Sequence, residues 1–206
     1  MMHRIFFVFL LFLGVAGCSS STQTVQLRRD HSDQIFLARF DRAFYTETPD
    51  GQLEVILVSD GHSESAINKP LSTASDQSVR QIVHMKVLWE KPRGYRIDNP
   101  AATNSTLTWY VIAGPDDRLI YTGSAWTRVN RDQDSVELDV RNATLTIHRI
   151  VGHVEDPLKR ATFEGTLVAR RSETAVRSFL EELAGYRSTD SRTALSNPPA
   201  GKAPTP

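Results

Sequence analysis

From Ile35 onward the apolar residues recur at every second position. Phe36, Ala38, Phe40 and Phe44 share one parity, while Arg39 and Asp41 take the other, as in a strand with one buried face. Pro49-Asp50-Gly51 then predicts a turn, because Pro presets φ and Gly accepts a positive φ. Residues 53–58 return as the second arm of a hairpin. Val79, Val83, Met85, Val87 and Trp89 alternate with Arg80, His84 and Lys86, which describes another half-buried strand. Residues 107–113 are apolar on both faces and predict a central strand. Gly114-Pro115-Asp116-Asp117 turns the chain into an antiparallel partner over 119–129.

The next apolar set changes parity part-way. Val136, Leu138 and Val140 are even, whereas Ala143, Leu145, Ile147 and Val151 are odd, so a bulge or tight turn is expected at Arg141-Asn142. Residues 161–169 form the last strand. The polar stretch 60–78 reads as a long exposed loop, and 98–105 as a second loop. A helical period appears only after them, with Val176, Phe179, Leu180 and Leu183 at i, i+3, i+4 and i+7. Ser172 or Thr174 can cap its start, Glu173 suits its positive end, and Gly185 can close it.

Seven or eight strands followed by one amphipathic helix predict a mainly β domain over 34–187. Its architecture is expected to be an antiparallel β-sandwich or a partly closed barrel. Residues 188–206 hold four prolines and no aromatic residue, and are expected to be a disordered tail.

The other end of the chain has a different character. After His3 and Arg4, residues 5–13 are continuously apolar and Val15-Ala16-Gly17 are small, so 1–17 read as a secretory signal. A membrane span needs about 20 apolar residues, and this run meets Cys18 and three serines first. Val15-Ala16-Gly17-Cys18 resembles the lipobox of bacterial lipoproteins, with Val15 where leucine is commoner. The resemblance implies a diacylglycerol thioether on Cys18, commonly with a third acyl chain, such as palmitate, on the new amino terminus. One acyl chain holds only marginally, whereas two or three make a stable anchor. Ser19 in place of Asp after the cysteine is similar to the outer-membrane sorting pattern of cells with two membranes. Residues 18–33 then read as a lipidated polar tether, with Arg28 and Arg29 solvated rather than touching headgroups.

Charge and composition narrow the function. Lys plus Arg and Asp plus Glu both number 24, and removal of Arg4 with the signal leaves 23 against 24. Such balance leaves no electrostatic footprint for nucleic acid. Cys18 is the only cysteine, so the fold has no disulfide or CxxC motif to rely on.

Four constellations could carry chemistry, and each has a plainer explanation. Asn130-Arg131-Asp132-Gln133-Asp134 offers oxygens at calcium-loop spacing, but Ser135 and Arg141 stand where a glycine and a glutamate are needed. His148, His153, Glu155 and Asp156 offer metal-ligand types without a third imidazole. Residues 60–65 gather Asp, His, Ser and Glu in a loop that lacks a nucleophile elbow. Trp89, Trp109 and Trp126 could line a ligand pocket or stack on sugar rings, although core packing is the simpler account of them. Two of them exposed on one face would favour binding.

The sequence thus points to a non-enzymatic envelope lipoprotein, anchored by Cys18 and serving as an accessory subunit for an envelope protein partner. No motif calls for a metal or cofactor. The alternatives are a carrier of a small apolar or glycan ligand between the sheets, and a hydrolase whose residues are dispersed along the chain.

Overall fold

A computed structural model describes residues 23–32, 34–60, 79–90 and 103–196, with side chains up to 186. The signal and Cys18, the loop beyond Asp60, and the tail beyond 196 lie outside the described residues.

The fold is mainly β, with nine strands in one mixed sheet and one carboxy-terminal helix. The strands are β1 (Gln23–Arg29), β2 (Ile35–Phe40), β3 (Arg42–Glu47), β4 (Leu53–Ser59), β5 (Arg80–Val87), β6 (Ser105–Ile112), β7 (Arg118–Arg131), β8 (Ser135–Val151) and β9 (Arg160–Arg171). They are followed by α1 (Glu173–Ser196). From β3 to β8 each strand pairs with the next, apart from the β8–β9 return, which brings β9 back against β3. β3 through β9 therefore make a closed ring of seven hydrogen-bonded strands.

Closure occurs at an unusual seam. β9 meets β1 antiparallel over its first half, at Ala161–Glu164, and β3 parallel only at Arg170 and Arg171. Between these contacts the Gln23 side chain stands in for a strand. Its amide donates to the Val168 carbonyl at 2.5 Å, and its oxygen accepts the Val168 N–H at 2.9 Å. A backbone edge that would otherwise lack both partners is thereby satisfied. The β1–β2 hairpin fills the remaining gap with Val25, Leu27, Ala38 and Phe40, all fully buried.

This hairpin corrects the boundary read from sequence. Residues 18–33 were expected to be a polar tether, yet Gln23–Arg29 is a strand. Only Val25 and Leu27 alternate there, too short a pattern to stand out from a polar segment. The strand expected through Phe44 also breaks at Asp41. Phe40 faces the ring interior, whereas Phe44 of β3 faces outward.

Two apolar layers hold the molecule together. Inside the ring, alternate residues of every strand meet, including Leu57, Met85, Trp109, Tyr121, Leu138, Leu145 and Phe163. Outside it, Phe44, Ile56, Val58, Ile82, Tyr110 and Ile120 receive Val176, Phe179, Leu180 and Leu183 of α1. β6 explains its doubly apolar sequence in this way, since Leu107, Trp109 and Val111 fill the ring while Tyr110 and Ile112 lie beneath the helix.

Ser172 caps α1 by accepting the Ala175 N–H, and Arg80 grips Glu182 with both guanidinium nitrogens. The helix continues past Gly185 to Ser196 instead of closing there, so residues 188–196, expected in the disordered tail, are helical. Gly185 is not in a positive-φ conformation, so it costs only about 1 kcal/mol relative to alanine. The expected bulge is found between Val140 and Ala143, with Asn142 at φ 51°.

Candidate functional site

The three tryptophans separate into two environments. Trp109 is fully buried in the ring, its centroid 5.4 Å from that of Tyr121. Trp89 follows the end of β5 and is 45% exposed, while Trp126 points outward from β7 and is partly exposed. Their rings meet edge to face, with centroids 5.4 Å apart and planes at 62°. Leu88, also exposed, precedes them. Two of the three candidates thus form one outer patch, and the third belongs to the core.

A buried asparagine places this pair. Asn104 donates both amide hydrogens, to the Trp89 carbonyl at 3.0 Å and the Thr127 carbonyl at 2.8 Å, and its oxygen accepts the Thr127 N–H at 2.8 Å. Its backbone carbonyl accepts the Leu88 N–H, and its backbone N–H donates to Ala125. The end of β5 and the middle of β7 are therefore fixed to one residue, with a tryptophan next to each attachment. Beneath it the Ser105 and Thr127 hydroxyls pair at 2.7 Å, and Thr127 also approaches the Met85 sulfur at 3.8 Å. The sequence places residues 98–105 in a loop, but Ser105 begins β6, and both Asn104 and Ser105 are buried. Their polarity argues for a loop, and nothing local signals the partners that burial supplies.

A charged clamp borders the patch. Arg131, near the end of β7, binds Glu90 through two nitrogens and Glu47 through a third. Hydrogen bonds to Glu90 raise the Arg131 pKa above the ordinary guanidinium value, with Glu47 adding to the effect. Apolar rings bordered by paired charges resemble a protein interface, in which a small anchor is surrounded by a polar rim.

The remaining candidates stay apart from it. Asp132 to Ser135 form the β7–β8 turn and, with Arg170 and Arg171, line an open polar cleft of about 480 Å³. That turn is closed internally, with the Asp132 N–H on the Ser135 carbonyl and the Gln133 N–H on the Asp132 carboxylate. His148 is exposed on β8, while the His153 backbone N–H donates to Asp117. Asp156 accepts from Tyr121 at 2.6 Å and from the Leu158 and Lys159 N–H groups, so its first role is to hold a loop. Burial, reinforced by Asp156, pushes the Tyr121 hydroxyl pKa well above its ordinary value. Among the described residues, no three His, Cys, Asp or Glu side chains gather closely enough to hold a metal ion. Of residues 60–65, only Asp60 is described, in an ion pair with Arg42 at 2.6 Å.

Comparison with family models, curated proteins and solved structures returned no match to this chain.

Proposed function

We propose that this chain is a lipid-anchored protein of the bacterial cell envelope, held by acyl chains on Cys18, and that it binds a protein partner through its outer surface. In a cell with two membranes Ser19 favours the outer one. The observation that carries the binding mode is the filled ring. Trp109, Val83, Met85, Leu145 and Phe163 are fully buried and pack against one another inside it. A carrier holding its ligand between the strands would need volume beside these side chains. The ring functions instead as a rigid support for what lies outside it.

The exposed anchor best suited to a partner is Leu88, Trp89 and Trp126. Aromatic residues held rigidly lose little conformational entropy on binding, and buried tryptophans dominate many interfaces. Native mass spectrometry of the lipidated chain, gently extracted from its envelope, tests the proposal. A protein-sized adduct is expected, and it should be lost in the Trp89→Ala/Trp126→Ala variant. A small-molecule adduct would favour the carrier instead, and a bare monomer would refute a stable assembly.

A further inference from the structure

We infer that the outward face of the β1–β2 hairpin lies on the anionic lipid surface that holds Cys18. The inference rests on the lipid anchor proposed above and adds what the domain does with it.

The first reason is reach. The sequence suggested a tether extending to residue 33, but β1 begins at Gln23. Five residue steps separate Gln23 from Cys18, and an extended chain covers at most about 18 Å in that distance. The domain therefore cannot stand far from the headgroups, and β1 is the element brought to them. β1 itself runs about 23 Å at 3.3 Å per residue, comparable to the tether.

The second reason is what that element presents. The register places Arg28 opposite Ile35, Gln26 opposite Leu37, and Thr24 opposite Arg39. Opposed residues of an antiparallel pair share a face, and all six of these are exposed. Ile35 is 58% exposed and Leu37 39%. Two aliphatic side chains therefore stand between two arginines at diagonal corners, while the opposite face of the same hairpin is buried in the ring.

Aliphatic residues that enter the headgroup boundary, flanked by cations, suit an anionic membrane better than a neutral one. Of the nearby carboxylates, Asp30 is bound by Arg160 at 2.8 Å, and Glu164, opposite Gln26 on β9, lies within electrostatic reach of Arg141. Docking in this way leaves the tryptophan pair for the partner, because β5, which carries Trp89 at its end, lies across the ring from β9 and β1, and β8 and β9 separate Trp126 of β7 from β1.

The test uses the mature lipidated chain reconstituted in vesicles of equimolar phosphatidylethanolamine and phosphatidylglycerol. Acylation consumes the only native thiol, so Ile35→Cys supplies a single position for an environment-sensitive fluorophore. Thr106→Cys, exposed on β6, serves as the distal control. The label at 35 should shift to the blue and be quenched by brominated lipid, while the label at 106 should remain as in water. In that labelled chain, Arg28→Gln/Arg39→Gln should lower the docked-to-undocked ratio roughly 30-fold, at about 1 kcal/mol for each arginine near an anionic surface. Vesicle retention should persist through the acyl chains.

A label at 35 as hydrated as that at 106, on a chain whose Cys18 is acylated, overturns the inference and leaves the anchor intact. Protection of the label without lipid quenching assigns the face to a protein contact and overturns it too. Mass spectrometry showing an unmodified Cys18 refutes the anchor itself, and the inference with it.

Discussion

Asn104→Ala isolates the residue that places the outer aromatic pair. The substitution removes three hydrogen bonds, two to carbonyls and one from the Thr127 N–H. At roughly 1 kcal/mol net for each bond the loss is about 3 kcal/mol. Thr127 is 1% exposed, so water cannot readily replace the partner its N–H loses, and the stranded group raises the cost. The expected loss is about 3–5 kcal/mol, large against a domain stability of about 5–15 kcal/mol. Urea unfolding should show a lower midpoint at unchanged slope. Circular dichroism gives a second readout, because coupled indoles 5.4 Å apart should produce an exciton couplet that weakens when Trp89 is released.

Asn104→Asp sharpens the test. It keeps the oxygen that accepts from Thr127 but puts a second oxygen against two carbonyls. Burial and those carbonyls should raise the folded pKa of the new carboxyl above its unfolded value of about 3.9. The protonated form then supplies stability that is present in full below the unfolded value and lost as pH rises through the folded one. This variant should therefore lose less stability relative to the native chain in acid than at neutrality. If Asn104→Ala costs under about 1 kcal/mol and the couplet survives, the assignment of Asn104 as the organiser is wrong.

Gln23→Ala should cost about 1–2 kcal/mol and accelerate hydrogen exchange at the Val168 amide, because Val168 loses both of its bonds to the Gln23 side chain; an unchanged exchange rate would contradict that role. Leu183→Ala, at a buried position on the inner face of α1, should cost about 2–5 kcal/mol in denaturant unfolding by leaving a cavity at the helix–sheet layer. Tyr121→Phe should remove part of the alkaline loss of stability. The raised folded pKa of Tyr121 gives stability present below the ordinary value of 10.0 and lost as pH climbs toward the folded one, so the variant should unfold less steeply above that value. Stability measured across that pH range decides the point.

Residue identity and periodicity carried the local structure because those signals are written in neighbouring positions. The apolar runs at 53–58 and 107–113, the parity change at Arg141-Asn142 and the i, i+3, i+4, i+7 stripe of α1 each match the fold. They match because burial of an apolar face and the pleat or pitch of the element dictate the spacing directly. Tertiary structure decided the rest. Gln23 and Asn104 are ordinary polar residues in sequence, and only strands distant along the chain, at Val168 and Thr127, give their amides something to bond. Trp89 and Trp126 look no different from Trp109 until ring closure determines which side of the sheet each occupies. Val25 and Leu27, two apolar residues in a polar stretch, become part of the core because β9 has a free edge there. Local spacing can report which face of an element is apolar, but the partner that covers it is set by contacts between residues far apart along the chain.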